Sequence, residues 1–457
     1  MPYRSLRTLV CMSAVCVFTA RAQQPGLQQV PGLQPVMDRL DRLEAQNREL
    51  MEEIRSLRQQ LGQSPPGRQP GIAAAAVADT SGDDREDIQD RRIDENAQTK
   101  LGSDHRLPVT LTGMVLFNAF LNGRGSGGLD NPTIAPLNGR LASAGATFRQ
   151  TVLGLKFDGP GISGGGKVTG SLYMDFFGGG TGLNQTFRLR VANVDAVWKN
   201  TTLSFAFDKP VIAPREPDSL AQVGVSPLTS AGNLWLWQPQ VRVERRFAIG
   251  DQGGFRAQFG LYQTSEGGTG LSAEYGDSLS RSRPGYEGRF EFWGERRGRR
   301  IEIAPGFHLS STRVLGQSAA SRIFSVDWLI RPVSRVDLTG AFFAGQSLGV
   351  VGGLRQGVNV NRDRRPVPVE GAGGWAQLKV RVTPRLSFNA FGGQEDDNNR
   401  QLAPGQIAKN QSYAANIMYR LGSNILTGFE VSQVRSTYLG SATRIAQHYD
   451  LSFAYLF

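Results

Sequence analysis

Sulfur and imidazole are nearly missing from this chain. Of its 457 residues, 2 are Cys and 3 are His. Both cysteines, Cys11 and Cys16, fall in an N-terminal stretch with a basic start (MPYRSLR), a short apolar run (TLVCMSAVCVFTA) and a small-residue site, Ala20-Arg21-Ala22. That order is a secretory signal peptide, expected over residues 1–22 and removed on export. The mature chain then has no thiol, which excludes cysteine catalysis, disulfides and thiolate metal sites. The histidines, His105, His308 and His448, stand far apart. No HExxH pair, GxSxG elbow or Walker loop is present, and Gly164-Gly165-Gly166 has no helix behind it to cradle a phosphate. No enzymatic activity, cofactor or metal is expected.

Long apolar runs are missing too. Beyond residue 22 no window approaches 18 uninterrupted apolar residues, which excludes a transmembrane helix and leaves a transmembrane β-barrel open. A barrel alternates apolar and polar residues, so a mean hydropathy of −0.29 averages its two faces. The 56 glycines follow no period of three and point to a turn-rich β protein.

What is present begins with a heptad pattern. Leu33, Val36, Leu40, Leu43, Asn47, Leu50, Ile54, Leu57 and Leu61 are spaced alternately by 3 and 4 residues. A 3.5-residue repeat keeps one helix face against a partner helix, so 33–61 is expected to be an α-helical coiled coil roughly 43 Å long. Arg39 with Glu44, and Glu53 with Arg58, occupy g and e positions of successive heptads. Asn47, the one polar a position, sets register. The coil predicts a homo-oligomer without distinguishing two chains from three. Residues 62–105, with SPPGRQPG, AAAAVA and DDREDIQDRRIDEN, read as a linker.

From Pro108 the period changes to two. Val109, Leu111, Gly113, Val115 and Phe117 alternate with a more polar set, as do Phe255, Ala257, Phe259 and Leu261, and Tyr449, Leu451, Phe453, Tyr455 and Phe457. Strands are expected at 108–121, 146–158, 166–177, 185–198, 201–209, 236–249, 253–264, 285–296, 299–312, 320–332, 334–345, 372–383, 385–395, 410–421, 424–437 and 443–457. Connections after the even strands are tight, such as Lys199-Asn200 and Arg297-Gly298. Those after the odd strands are generally long, such as 122–145, 210–235, 265–284 and 346–371. A sandwich has no reason to sort its loops by end, whereas an outer-membrane barrel does. The fold class is therefore all-β: a 16-stranded antiparallel transmembrane β-barrel over 106–457, preceded by an N-terminal α-helical coiled coil.

The run Gln150–Gly159, the Gly-rich turn after it and Lys167–Phe176 resemble the second and third strands of general bacterial porins, and Phe187-Arg188-Leu189-Arg190 resembles their next strand. Together with the signal peptide, the coil and Trp237-Gln238-Pro239-Gln240-Val241-Arg242, the chain is similar to DcaP-like porins; phosphate-selective porins, which also carry a coil, are the near rival. The resemblance implies a trimer, an outer-membrane setting with the coil in the periplasm, and a terminal aromatic, Phe457, read by the barrel assembly machinery. It also implies a third loop folded into the channel. That loop, 210–235, offers Arg215, Glu216 and Asp218 as constriction candidates, and its tip lacks the extended acidic run of the general porins.

Residues 101–457 carry 32 Arg and 6 Lys against 26 acidic residues, a net charge of +12, while residues 1–100 carry −1. By the alternation Arg149, Arg188, Arg190, Arg242, Arg256, Arg289, Lys379, Arg381 and Arg420 face the lumen. Guanidiniums in a low-dielectric channel concentrate anions and grip carboxylate or phosphate, so passive diffusion of small anionic solutes such as dicarboxylates is expected. Three plainer readings compete. Arginine is simply the common cation here, lumen arginines pair with wall carboxylates such as Glu287 and Glu291, and basic loops bind lipopolysaccharide phosphates. Among other classes, a structural barrel or adhesin would use the coil as a periplasmic spacer, though four heptads are short for that. A Ser/His hydrolase of this setting needs its His on the lipid side, whereas His448 has inward parity. Nucleic acid is no expected partner of a secreted barrel, whatever its charge.

Overall fold

The computed structural model describes residues 99–100, 108–126, 130–139, 142–179, 185–263, 284–354 and 356–457. The expected signal peptide, the coiled coil with Asn47 and all of the linker except Thr99–Lys100 lie outside the described residues. That pair runs antiparallel to Thr110 and Leu111.

Sixteen antiparallel strands form the wall: β1 (Val109–Asn122), β2 (Ser143–Thr147 and Val152–Ile162), β3 (Gly166–Asp175), β4 (Arg188–Val197), β5 (Thr201–Asp208), β6 (Gln238–Ala248), β7 (Gly253–Gln263), β8 (Pro284–Arg296), β9 (Arg299–Val314), β10 (Gln317–Val333), β11 (Val336–Gln346), β12 (Glu370–Thr383), β13 (Leu386–Asp397), β14 (Ile407–Arg420), β15 (Ile425–Tyr438) and β16 (Arg444–Leu456). Each pairs with its sequence neighbour, and β1 pairs with β16 from Met114↔Leu456 to Asn122↔His448, which closes the sheet on itself. Closure removes the unpaired edges that an open sheet exposes. At the seam, Gly113 N–H donates to Phe457 O over 2.9 Å and Phe457 N–H returns to Gly113 O over 3.1 Å. A side chain at Gly113 would meet Val152 O at 2.5 Å and the Phe457 ring at 2.8 Å, so only glycine lets the terminal aromatic seat there.

The faces sort as the two-residue period requires. On β16, Ile445, Tyr449, Leu451, Phe453 and Tyr455 are exposed while Ala446, His448, Asp450, Ser452 and Leu456 are buried. The outside is apolar and the inside largely polar, the reverse of a soluble domain and the arrangement of a barrel in lipid.

Two strands depart from the expected pattern. The second, expected as continuous over 146–158, is interrupted at 148–151, where Thr151 N–H turns back to Phe148 O over 3.0 Å. The Thr151 hydroxyl takes the place of the lost ladder partner and accepts from Leu116 N–H at 3.1 Å, so no backbone donor is orphaned. This break swings Arg149 and Gln150 inward. In β4 a bulge lies between Tyr173↔Val191 and Met174↔Leu189. The extra residue changes the inward parity from Val191, Asn193 and Asp195 to Arg188 and Arg190.

One end carries tight turns. Arg297-Gly298 joins β8 to β9 with φ of +53° and +73°, the left-handed pair that matches strand twist in a two-residue hairpin. The other end carries the long loops, apart from the short connection 439–443 and the expected 313–319 connection, which shrinks to Leu315-Gly316 because β9 and β10 continue to Val314 and from Gln317. Loop 347–369 contains a buried 3-10 turn, Leu348–Val351, and a small hairpin, Val358–Val360 with Pro366–Pro368.

Candidate functional site: the lumen and its infolded loop

Loop 209–237, between β5 and β6, runs inside the barrel. From Val211 to Leu234 all its residues are buried except the half-buried Pro214 and Val225. Its apolar residues fill the lumen in patches. Ile212, Ala213 and Leu234 pack with Ile323, Phe343, Leu348, Val350 and Val351. Leu220 and Val223 pack with Met114, Leu116, Val152, Tyr173, Met418 and Leu456. Leu228 packs with Ala341, Trp375, Phe391 and Ala414. Those partners come from β1, β2, β3, β10, β11, β12, β13, β14 and β16, so the loop touches the wall on all sides.

Along β8, β9 and β10 the loop is held by charge. Val211 N–H donates to Glu287 Oε2 over 2.6 Å. Arg215, buried to 2% exposure, reaches Asp327 Oδ1 at 2.9 Å, pairs with Glu302 and stands 3.8 Å from Glu291. Arg289 grips the same Asp327, Nε to Oδ2 at 2.7 Å and Nη2 to Oδ1 at 2.8 Å, and also Glu291 at 2.8 Å. Arg256 adds 2.5 Å to Glu291, and Arg300 pairs with Glu302. Taking these charges out of water costs several kcal/mol per ion, offset only because every one is closely partnered.

The opposite wall holds the loop mainly with amides. Gln150 receives Val223 N–H and Gly224 N–H, both at 2.7 Å, on Oε1 and donates Nε2 to Ala221 O over 2.8 Å. Asn118 donates to Leu220 O over 2.9 Å, Asn416 to Asp218 O over 2.7 Å and Asn410 to Ser230 O over 2.8 Å. Gln377 exchanges two bonds with Asp218, and the Ser219 hydroxyl donates to Glu430 over 2.6 Å. These buried amides satisfy loop carbonyls and amides that would otherwise be lost to water.

The three loop residues singled out from sequence thus have distinct positions. Arg215 is the clamp on the charged wall. Glu216 turns back within the loop to Lys209 at 2.6 Å and to Ser226. Asp218 faces β12, with Lys379 Nζ at 3.4 Å.

The lumen cations divide into tied and accessible groups. Arg149 joins Asp130 at 3.1 Å and Gly179 O at 2.6 Å, which links two long-loop segments, and lies 4.2 Å over the Phe177 ring. Arg188 and Arg190 share Asp175 at 2.6 and 3.1 Å. Both also donate to loop carbonyls, Gly224 O and Val223 O, and both stack 5.1 Å from Trp237. Arg242 pairs with Asp208 at 3.0 Å. Arg256 and Arg289 belong to the charged wall, where Arg289 meets Glu291 as the sequence allows while Glu287 instead serves Val211, Tyr262 and His308. Lys379 and Arg381 keep 25% and 34% of their side chains accessible, the latter beside Asp337. Arg420 is half-buried at the turn end. His448 is buried, with Nδ1 2.8 Å from Asn122.

The sequence reading missed the partners. Gln150, Asn118, Asn416, Asn410, Gln377, Asp327 and Glu302 all carry inward parity, but amides and acids were not weighed as loop anchors. A usable signal was the apolar content of 210–235, where Val211, Ile212, Leu220, Val223, Leu228 and Leu234 stand in a connection expected to meet water. Among the described residues no three His, Cys, Asp or Glu side chains gather as a metal site.

No protein-family model and no curated protein matches the chain. Among solved structures, the outer membrane channel DcaP of Acinetobacter baumannii superposes with a TM-score of 0.62 at 16% identity, over 79% of this chain and 99% of that one. The anion-selective porin from Comamonas acidovorans gives 0.49 at 12% identity, over 77% of this chain and 100% of its own. Pseudomonas putida OprB at high pH gives 0.49 at 12%, over 76% and 94%. At such identities the likeness is one of fold: this chain forms a closed 16-stranded antiparallel barrel, folded like the DcaP channel.

Proposed function

We propose that the protein is an outer-membrane channel of the porin type, through which small hydrophilic solutes diffuse passively, with preference for anions such as dicarboxylates. The observation that carries this reading is the closed barrel with an apolar outside, a polar inside and a long loop folded into its lumen. A 16-stranded barrel is wide enough to hold water, unlike one of about eight strands. The fold likeness to DcaP, named as an outer membrane channel, supports the Gram-negative outer membrane as its site, with tight turns toward the periplasm. A trimer joined by the coil over 33–61, lipopolysaccharide as a lipid neighbour and delivery by the barrel assembly machinery through Phe457 belong to the same proposal. So does the absence of enzymatic chemistry.

Anion preference rests on the cations that stay accessible: Lys379, Arg381 and Arg188 in the lumen, and exposed arginines at the turn-end mouth such as Arg297 and Arg335. A positive mouth raises local anion concentration and speeds entry without binding the solute tightly. Purified protein in a planar bilayer tests it. Discrete conductance steps are expected, in threes for a trimer, with a reversal potential in a KCl gradient on the anion side. Cation selectivity would remove the anion part of the proposal. An inserted barrel without conductance would favour a second reading, a structural barrel or adhesin, to which the wall-to-wall contacts of loop 209–237 lend support.

A further inference from the structure

The tied arginines of the lumen have a counterpart at the turn end that is not neutralised. Arg245, Arg296, Arg297, Arg299, Arg335 and Arg385 are exposed there, on the arc from β6 to β13. Among the described residues none of them has a carboxylate partner; the nearby acids Glu244, Glu302 and Asp337 are taken by Arg246, Arg300 and Arg331. Arg296 and Arg299 stand directly opposite each other in the β8–β9 hairpin, where like charges repel. Arg297 occupies the tip with a φ of +53°, a position that favours Asn or Gly.

The side chains share the level of the apolar band. Arg245 has the outward parity of Val243 and Phe247 and lies 5.5 Å over the Phe247 ring. Arg299 follows the parity of Ile301, while Ile249, Ile301 and Val333 beside the arc are more than half exposed, at 67%, 51% and 51%. Arg245, Arg296 and Arg299 thus point away from the lumen, whereas Arg297, Arg335 and Arg385 stand in the turns at the mouth. On the rest of the rim, the turns Ser163–Gly165, 199–200 and 422–423 and the strand ends beside them bring three cations, Lys167, Lys199 and the half-buried Arg420. The charge is thus concentrated on one arc, at the height where an apolar wall meets water.

We propose that this arc binds the phosphodiester headgroups of anionic phospholipids in the leaflet at the turn end of the barrel. The inference rests on the reading of the chain as a membrane barrel. Guanidiniums match phosphate oxygens in pairs, a headgroup between Arg296 and Arg299 relieves their repulsion, and acyl chains lie along the exposed apolar residues beneath. A free phosphate would offer the first two contacts and lack the third.

The test is native mass spectrometry of the detergent-purified full chain mixed with phosphatidylglycerol and phosphatidylcholine. Wild type is expected to retain phosphatidylglycerol in preference, by roughly fivefold for each arginine engaged. The double variant Arg296→Gln, Arg299→Gln should lose most of that preference, and Arg335→Gln, Arg385→Gln part of it. Arg322→Gln, an outward exposed arginine at the loop end of β10, should leave it intact. Excess glycerol phosphate should not displace the lipid; displacement would mean a soluble-phosphate site and overturn the proposal. Equal retention of both lipids by wild type, or unchanged preference in both double variants, would overturn it as well. Heat-modifiable gel migration confirms that each variant is a folded barrel, and vesicle insertion is scored separately. Failure of wild type to insert would sink the membrane reading, whereas insertion without lipid preference sinks this proposal alone.

Discussion

The two walls that hold loop 209–237 solve one problem by opposite chemistry. On β8, β9 and β10, four guanidiniums (Arg215, Arg256, Arg289 and Arg300) share three carboxylates (Glu291, Glu302 and Asp327), with Glu244 and Glu295 at 3.9 and 3.8 Å on the margin. On β1, β2 and β14, amides of Asn118, Gln150, Asn410 and Asn416 bind loop backbone directly. The charged wall holds a side chain of the loop and depends on a charge balance. The amide wall holds the loop's main chain and depends on geometry. A balance can be upset by removing either sign, with unequal results, whereas an amide fails only by leaving its partners unsatisfied.

The largest effect is expected from Asp327→Ala. It deletes the carboxylate that Arg215 and Arg289 share and leaves four guanidiniums, three of them buried, against two anions. Breaking a buried pair by removing one partner costs about 3–5 kcal/mol, read as a lower midpoint of urea unfolding in detergent. A loss under about 1 kcal/mol would mean that water reaches the cluster and that the wall is not a desolvated network.

Gln150→Ala should come next. It strands Val223 N–H, Gly224 N–H and Ala221 O, each buried, at about 1–3 kcal/mol for a group left unpaired. Partial relaxation of the loop brings the expected total to about 3 kcal/mol. Gln150→Glu sharpens the comparison, because a carboxylate keeps both acceptor roles and loses the donations to Ala221 O and Asn118 Oδ1. It should be less harmful than Ala in the unfolding midpoint if geometry governs this wall, and more harmful if burial of charge does.

The contrast between the walls also marks what could be read from the sequence. All sixteen strands fall where the two-residue alternation puts them, most within three residues, because side-chain parity is a local property. The interruption at 148–151 and the bulge at Arg190 escaped, since each depends on a partner strand. The infolding of 210–235 entered through the porin resemblance rather than through its residues. Its anchors lie on strands distant in sequence: Gln150 binds Val223, 73 positions away, and Ser219 binds Glu430, 211 away. Inward parity was legible for Arg190 and Arg289; that each would be tied to a carboxylate was legible only as one of several readings, because pairing across a lumen leaves no local trace.

Arg215→Met should affect stability far less than Asp327→Ala although it touches the same cluster. Its loss leaves three guanidiniums facing three carboxylates, and Met occupies the buried space left by the Arg stem. A change of about 1 kcal/mol or less is expected, because Glu302 keeps Arg300, Asp327 keeps Arg289 and Glu291 keeps Arg256, so no buried charge is left alone as it is in a one-sided deletion. Conductance is the more sensitive readout, because the loop loses its clamp on the charged wall while the amide wall still holds it. Larger or noisier single-channel steps are expected. An unchanged conductance would mean that Val211, Ile212 and Ala213 hold this side of the loop without Arg215.

The smallest effect is expected from Lys379→Gln, which probes the ground between the walls. Lys379 Nζ lies 3.4 Å from Asp218, and a quarter of the side chain is accessible. Asp218 keeps its bonds with Gln377, so the stability change should stay within about 0.5 kcal/mol, as for a solvated ion pair. The reversal potential should nonetheless move toward cations, because a lumen charge that water can reach is also one that a permeating ion can feel, and Asp218 is left uncompensated beside it. Arg289→Gln makes the opposite trade: it removes the two-point grip on Asp327 and so costs more stability than Lys379→Gln, with no passage of ions near it while the cluster stays dry. If Lys379→Gln leaves the reversal potential unchanged, the accessible lumen cations do not set selectivity, and the arginines at the mouth remain the source of any preference for anions.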